Sequence, residues 1–184
     1  DLPRTLVSSV GLGRRVLCLV ESRCAVLVLP ERKTILVCVD GSCLMNVEDL
    51  ARLVAYLLPI VDLGMNNTVL GMVRQWQTVF YDRRYAQTAP GRQTDFVRLA
   101  EAFGAQGFRI ERPDQIEPVL QEALSCGGPC VVDCRISPDA MVLPMIPPGR
   151  AVQDTINVFM ESPRHAQHLR KDMMQWKSCR SPRW

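Results

Sequence analysis

Histidine and aromatic side chains are scarce in this sequence, and it has no long apolar run. The 184 residues include 2 histidines and 6% aromatic residues. The most apolar stretch, residues 16–29, contains Glu21 and Arg23 and is followed by Pro30, whereas a membrane-spanning helix needs about 20 apolar residues. Nothing at the front of the chain, which starts at Asp1, has the pattern of a signal or transit peptide. We therefore expect a cytoplasmic protein with no membrane partner.

Closely spaced pairs of metal ligands are also lacking, although the chain has 8 cysteines. No Cys-x-x-Cys pair occurs, and a structural zinc site usually draws on two close pairs of ligands. His165 and His168 stand near the C-terminus without a convincing partner. Free cysteine in apolar surroundings behaves as a small hydrophobe. The sequence therefore predicts reduced core thiols, and neither disulfides nor zinc, at Cys18, Cys24, Cys38, Cys43, Cys126, Cys130 and Cys134.

The charge of the chain is concentrated at one end. The net charge is +3, from 22 Lys and Arg against 19 Asp and Glu. Residues 161–184 contain 6 basic and 2 acidic residues, which leaves 16 basic and 17 acidic residues in the rest. A nearly neutral domain gives no case for a nucleic-acid surface. We expect one domain over residues 1–160 and a basic, solvated and flexible tail over residues 161–184.

Apolar runs alternate with amphipathic segments, and this alternation predicts an α/β fold. Strands are expected over residues 34–39, 59–65, 107–111 and 130–136, with a weaker candidate at residues 5–8. Helices are expected from a cap at Asn46 through Leu58, after Gly71, over 95–103 with Thr94 as the cap and Gly104 at the end, and over 114–124. A Pro-rich loop and a helical stretch are expected after Ser137. The pattern is typical of a doubly wound, mostly parallel sheet with helices on both faces.

Two short polar motifs follow neighbouring predicted strands. Asp40-Gly41-Ser42 comes directly after the strand over residues 34–39, and Asn66-Asn67 follows the strand over residues 59–65. In an open parallel sheet, ligands bind beyond the carboxyl ends of the strands, so both motifs are expected to face one crevice. Oxygen ligands of this kind suit Mg²⁺, which often shares its shell with a phosphate. Taken alone, an Asp-Gly after a strand is more often only a turn.

The two motifs and the strings around them resemble acetolactate synthase (acetohydroxyacid synthase). The resemblance is to the C-terminal thiamine-diphosphate-binding domain of its large catalytic subunit. Residues 71–77 read Gly-Met-Val-Arg-Gln-Trp-Gln, and residues 142–149 read Val-Leu-Pro-Met-Ile-Pro-Pro-Gly. The Asp-Gly and Asn-Asn motifs alone mark the wider group of thiamine enzymes. The two longer strings are specific to acetolactate synthase, and the resemblance covers residues 40–157.

The resemblance implies a thiamine-diphosphate and Mg²⁺ site built from both motifs. Asp40, the side chain of Asn67 and the backbone carbonyl of Val69 would be the metal ligands. Gly41 and Ser42 would approach the diphosphate through small size and backbone N–H donors.

The string after the second motif implies contacts to the cofactor and to the substrate. Leu70, Gly71 and Met72 match positions that lie against thiamine diphosphate. Val73 and Trp76 match the substrate channel, where many herbicides stack on the tryptophan. Seen alone, a tryptophan at this helical spacing is usually a core residue.

The resemblance also implies an activity and partners that extend beyond this chain. Acetolactate synthase decarboxylates pyruvate and joins the product to a second 2-ketoacid, pyruvate or 2-oxobutyrate, in branched-chain amino-acid biosynthesis. The activating glutamate belongs to a pyrimidine-binding domain of a partner subunit, so no catalytic residue is expected in this chain. FAD is held mainly by another domain. A homodimer or larger assembly and a regulatory small subunit are implied, in the cytoplasm or, in a plant or alga, in the plastid stroma.

Several positions depart from the family pattern. Gly11-Leu12-Gly13 is retained, but residues 14–29 lack the small residues of the family, and Val39 replaces the first glycine of Gly-Asp-Gly. A valine would oppose a positive φ or a close approach of phosphate at that position. Asp62 and Gly64 interrupt a strand that should be apolar, where an unpaired carboxylate costs several kcal/mol. These departures leave open an alternative, a non-catalytic remnant or interaction module that keeps the fold.

Overall fold

The structure is a computed structural model that describes residue 6 and residues 14–91, 94–147 and 149–157. The chain forms two compact units. The first contains Asp1–Thr68 and Gly91–Ser137, and the second contains Val69–Pro90 and Pro138–Trp184. The predicted strand at residues 5–8, the Gly11–Gly13 motif, the two histidines and the tail over residues 161–184 lie outside the described residues.

The first unit is built on a four-stranded parallel sheet. Its strands are β1 (Thr34–Val39), β2 (Ile60–Asn66), β3 (Gln106–Ile110) and β4 (Cys130–Arg135). Their order in the sheet is β1-β2-β4-β3, and all three neighbouring pairs are parallel. The predicted strands are confirmed, with ends that shift by one residue. Parallel pairing explains the continuous burial of β4, because a parallel sheet is covered on both faces.

Helices cover both faces of this sheet, as predicted. In chain order the helices are α1 (Arg14–Val28), α2 (Asp40–Met45), α3 (Asp49–Ala55), α4 (Gly71–Phe80), α5 (Phe96–Phe103) and α6 (Ile116–Ser125). One apolar cluster joins α1, α3 and α5 to the sheet through residues such as Leu53 and Ile60. The opposite cluster joins α6 to β3 and β4 through Ala123, Val132 and Ile110. The fold is therefore a doubly wound α/β sheet, while α4 belongs to the second unit.

Helix α5 shows how local sequence sets the ends of an element. Its cap is Asp95, whose carboxylate accepts the backbone N–H groups of Val97 and Arg98 at 3.1 and 3.3 Å. The prediction that Thr94 caps this helix is wrong by one residue, because both residues are good N-caps and only the backbone conformation chooses between them. The helix ends at Gly104, as predicted, in the left-handed conformation with φ 87°.

Other helices also differ from the sequence-based expectations. The segment expected as one helix from Asn46 through Leu58 forms only α3, and Asn46 instead ends α2. Leu57, inside the predicted helix, has φ 48° and is 69% exposed, so the helical conformation has ended before this residue. The apolar stretch over residues 16–29 forms α1, which was not predicted. After Ser137, the described residues contain only one 3₁₀ turn, Val152–Asp154, and no longer helix.

The second unit brings together the two strings that carry the family resemblance. Gln75 on α4 donates its amide N–H to the carbonyl of Val142 at 3.0 Å and accepts the N–H of Val142 at 2.8 Å. A small apolar cluster of Val79, Phe80 and Ile156 packs beside this link. A single buried side chain therefore fixes the Pro-rich segment on the helix. None of the helices in the described residues is long and apolar enough to cross a membrane.

Six cysteines have described side chains, and all six are free thiols. Cys38, Cys43, Cys130 and Cys134 are buried, Cys126 is half-buried, and Cys24 is exposed on α1, so it is not the core residue that was expected. Asp62, which interrupts the apolar strand β2, has two weak hydrogen-bond donors as partners. Asp62 is 2% exposed, but its two oxygens accept the thiols of Cys38 at 3.0 Å and of Cys43 at 3.7 Å.

Candidate functional site

The end of β1 places a carboxylate at the carboxyl edge of the sheet. Asp40 begins α2 directly after Val39, and it is 7% exposed. Its Oδ1 accepts the backbone N–H of Gly41 at 2.7 Å, and Ser42 is buried beside it. An acidic side chain in the first turn of a helix is favoured by the exposed N–H groups there.

Val39 itself poses no backbone conflict at this edge. Its φ is −105° and its ψ is 156°, an extended conformation that a β-branched residue adopts readily. Its side chain is 49% exposed. The valine that replaces the family glycine therefore needs no left-handed backbone in this chain.

The end of β2 holds a strained loop residue. Thr68 has φ 61°, which is unusual for a β-branched residue and costs of order 1–3 kcal/mol. Its N–H donates to Oδ1 of the buried Asn66 at 3.2 Å, and its hydroxyl donates to the carbonyl of Asn67 at 2.7 Å. Asn66 therefore fixes the turn, and Asn67 is half-buried just beyond it.

A network of charged side chains supports Asn66 from the neighbouring strand. Asn66 donates its amide N–H to Oδ1 of Asp133 at 2.8 Å. The Oδ2 of Asp133 accepts Nε of Arg109 at 3.2 Å and lies 3.1 Å from Nε of Arg135. Arg109 also bonds to Asp95 at 2.6 Å. Backbone N–H bonding from Arg98, together with the Arg109 guanidinium, lowers the pKa of Asp95.

A polar cleft of about 170 Å³ opens at this edge of the first unit. It is lined by residues from the ends of β1, β2 and β4 and from the start of α5: Asp40, Leu44, Asn66, Thr68, Thr94, Asp95, Phe96 and Arg135. Of the predicted site residues, Asp40 lines the cleft. The sequence analysis did not predict that Asn66, Asp133 and Arg135 would interact and support this edge of the sheet. The rule that found Asp40, a polar residue at the carboxyl end of an apolar strand, also applies to Arg135.

The remaining predicted site residues lie in the second unit. Val69 is buried, and the backbone N–H of Leu70 donates to the carbonyl of Thr88 at 2.8 Å just before Gly71 begins α4. On the helix, the exposed fractions are 50% for Met72, 41% for Val73 and 37% for Trp76. Large apolar side chains in one solvent-facing group often mark a binding surface.

Trp76 is not the core residue that its helical spacing alone would suggest. Its ring meets the edge of Phe80 at 6.1 Å between centroids, with the planes at 90°. Arg74 forms a salt bridge to Asp139, with 2.8 Å between nitrogen and oxygen. Its guanidinium carbon also lies 4.0 Å from the centre of the Tyr85 ring. The polar residues Arg74 and Gln75 of this string therefore make contacts within the second unit, while Met72, Val73 and Trp76 are exposed.

Comparison with known proteins gives consistent matches. The family described as thiamine pyrophosphate enzyme, C-terminal TPP binding domain, matches residues 20–134. The probable acetolactate synthase large subunit of Methanococcus aeolicus is 36% identical over 161 residues, covering 88% of this chain and 27% of that protein. The acetolactate synthase isozyme 3 large subunit of Escherichia coli (strain K12) is 40% identical over 124 residues, covering 67% and 22%.

A solved structure agrees with these matches. The thiamine diphosphate-dependent 4-hydroxybenzoylformate decarboxylase of Rhodococcus jostii RHA1 aligns with a TM-score of 0.55 and 26% identity, over 61% of this chain and 21% of that one. This chain therefore spans about a quarter of the length of the relatives it matches.

Proposed function

The chain belongs to the C-terminal TPP-binding domain family of thiamine pyrophosphate enzymes, and from this premise we propose that it is the cofactor domain of an acetolactate synthase large subunit. The cleft at the carboxyl edge of the sheet, with Asp40 on its wall, is the observation that carries the proposal. The relatives named as acetolactate synthase large subunits support the choice among thiamine enzymes.

The donor groups present fit a magnesium–diphosphate group. Asp40 and Asn67 would offer a carboxylate and an amide oxygen, and Val69 a backbone carbonyl, which are the hard oxygen ligands that Mg²⁺ takes. Gly41 and Ser42 would offer backbone N–H groups to the diphosphate at the start of α2. The extended backbone at Val39 removes one objection to this assignment.

The cofactor, when bound, supplies the electron sink for decarboxylation of a 2-ketoacid, and the protein supplies binding and orientation. In this proposal Leu70, Gly71 and Met72 lie against the cofactor. Val73 and Trp76, both part-exposed on α4, would shape the channel for pyruvate and 2-oxobutyrate and would form the herbicide surface. A flat indole restricts the width of a channel with little loss of side-chain entropy.

The parts outside this chain complete the proposed enzyme. The activating glutamate would come from the pyrimidine-binding domain of a partner subunit, so the working unit would be a homodimer or a larger assembly. FAD would bind mainly to another domain, and a regulatory small subunit would associate with the whole. The alternative of a non-catalytic remnant is not favoured, because the relatives matched along most of the chain are acetolactate synthases.

A chimera tests the proposed activity. This chain replaces the corresponding C-terminal part of the Escherichia coli isozyme 3 large subunit, and acetolactate formation from pyruvate is measured. We expect magnesium-dependent turnover that Asp40→Ala abolishes and that Asp114→Ala, a change at an exposed aspartate far along the chain, leaves intact. A folded chimera without turnover, or one indifferent to Asp40→Ala, would count against the proposal. The 184-residue chain alone should form no acetolactate, since it lacks the glutamate.

A further inference from the structure

A second group of potential ligands lies in the core of the first unit, apart from the cleft. The thiols of Cys38 and Cys43 and the carboxylate of Asp62 come from β1, α2 and β2, and one ligand atom from each lies within 4.8 Å of the other two. All three residues are buried. Among the residues that the structure describes, this is the one group of three or more His, Cys, Asp or Glu side chains close enough to share an ion.

Asp62 has no evident structural reason to be a carboxylate. Within the described part of the chain, its hydrogen-bond partners are the two thiols, and it forms no salt bridge there with Lys or Arg. Thiols are weak donors, and burial raises the pKa of Asp62 to about 6. Its neighbours on this face of the sheet, Leu36 and Val131, are apolar. A buried polar group so poorly compensated calls for a ligand or another explanation.

A small void lies beside these side chains. Cys43 and Asp62 line a small enclosed void together with apolar residues such as Leu50 and Phe96. The void has room for about one water molecule. Cys43 and Asp62 are the polar side chains on its wall, so any polar occupant would meet them first.

We propose that Cys38, Cys43 and Asp62 form a binding site for a zinc-class, thiophilic divalent cation, with a water in the void as the fourth ligand. A tetrahedral ion with bonds of about 2.3 Å to sulfur and about 2.1 Å to oxygen separates a sulfur and an oxygen ligand by about 3.6 Å. The sulfur of Cys38 lies 3.0 Å from Oδ1 of Asp62 and the sulfur of Cys43 lies 3.7 Å from Oδ2, and one ligand atom from each of the three residues lies within 4.8 Å of the other two. Small side-chain shifts suffice to reach the tetrahedral arrangement.

The charge balance favours exchange of protons for metal. With Asp62 ionised and both thiols protonated, the group carries one negative charge. Binding of one divalent ion to two thiolates and one carboxylate releases both thiol protons to solvent and leaves the same net charge. The buried charge therefore does not grow when the ion enters. Metal ligands must be deprotonated, so binding of the ion is coupled to release of the thiol protons.

Cobalt titration tests the proposal. The 184-residue chain is stripped of metal with a chelator and titrated with Co²⁺, whose bonds to thiolate give a charge-transfer band in the near ultraviolet. We expect one equivalent to bind with this band, and Zn²⁺ to displace it. Cys43→Ala and Asp62→Asn should weaken Co²⁺ binding by at least about tenfold. The double variant Cys126→Ala/Cys130→Ala and the variant Asp114→Ala should bind as the parent chain does.

A second readout does not depend on the folding of variants. Alkylation of each cysteine in the unaltered chain is followed by mass spectrometry, with and without Zn²⁺. The proposal predicts that Zn²⁺ slows alkylation of Cys38 and Cys43 by at least about tenfold while Cys24 and Cys126 react as before. It is overturned if the Co²⁺ band is absent, if the band follows Cys126 and Cys130, or if Zn²⁺ leaves Cys38 and Cys43 unprotected.

Discussion

Asp62 and Asp133 are buried carboxylates on the same face of one sheet, and they have opposite kinds of partner. Asp62 on β2 is 2% exposed and is held by two thiols. Asp133 on β4 is 1% exposed and is held by Arg109, Arg135 and the amide of Asn66. Asp62 pairs with Val131 in the sheet register, so Asp133 lies two residues nearer the carboxyl edge.

That offset, about 7 Å along the strand, decides which partners can reach each carboxylate. The guanidinium groups beside Asp133 keep about a third of their side-chain surface in solvent, at 31% and 35%. A charged side chain near Asp62 could not keep part of its surface in solvent in this way, because Leu50, Phe96 and Val131 pack around that position. Asp133 therefore organises the side chains at the edge of the sheet. Asp62 lies in the core, where we propose that it binds a metal ion.

The largest effect is expected from Asp133→Ala. This change leaves two guanidinium groups and the amide of Asn66 facing one another without the carboxylate. Breaking a buried ion pair costs about 3–5 kcal/mol, and we expect the lower end, about 3 kcal/mol, because both arginines can reach water. Urea unfolding measures the loss. If Asp133→Ala destabilises the chain no more than the exposed control Asp114→Ala, the network does not hold the edge.

Asp62→Asn sharpens the comparison through its pH dependence. Burial raises the pKa of Asp62 in the folded chain to about 6, above the ordinary value of 3.8, so the folded state favours the protonated acid. The contribution of the protonated Asp62 to stability is fully present below about pH 4 and is lost as the pH rises through 6. Relative to the unaltered chain, Asp62→Asn should therefore gain about 2 kcal/mol between pH 4 and pH 7.

The measurement is urea unfolding of both chains across this pH range, with a chelator present to keep the thiol group free of metal. A difference between the two chains that stays flat with pH would show that Asp62 titrates normally. Asp133→Asn is measured in the same way for comparison, because the carboxylate that it replaces has two arginine partners, whereas Asp62 has two thiol partners.

The smallest effect is expected at Thr68, where the Asp133 network reaches the loop through Asn66. Thr68→Gly removes the cost of the positive φ, and we expect a gain in stability of about 1 kcal/mol. Thermal unfolding compares it with Thr68→Ala, which keeps the strain and loses the hydroxyl. A loss of stability in Thr68→Gly would mean that the hydroxyl bond to Asn67 outweighs the strain.

The sequence predicted the strands well because each is a short segment with apolar residues that lies between amphipathic helical segments or turn residues. It also predicted Asp40 at the edge of the sheet, since position after a strand is a local property. The partners of the buried carboxylates could not be predicted in this way. Cys38 and Asp62 are 24 residues apart, and Asn66 and Asp133 are 67 apart. Only the register of the parallel strands brings them together.

Helix ends were harder to predict than strands for a physical reason. Thr94 and Asp95 are both capable caps, and the extended backbone of Asp95 settles the choice. The turn at Leu57 has a positive φ that no feature of its own side chain favours. Such positions are fixed by packing of the surrounding elements, which a local pattern does not contain.

The central claim is a magnesium-dependent thiamine-diphosphate site that includes Asp40. Its most direct test is calorimetric titration of the 184-residue chain with thiamine diphosphate, with and without Mg²⁺, beside Asp40→Ala and the control Asp114→Ala. The account predicts heat of binding that requires Mg²⁺, persists in the control and disappears in Asp40→Ala. Heat that is unchanged in Asp40→Ala, or an unaltered chain that binds no cofactor with Mg²⁺ present, would contradict it.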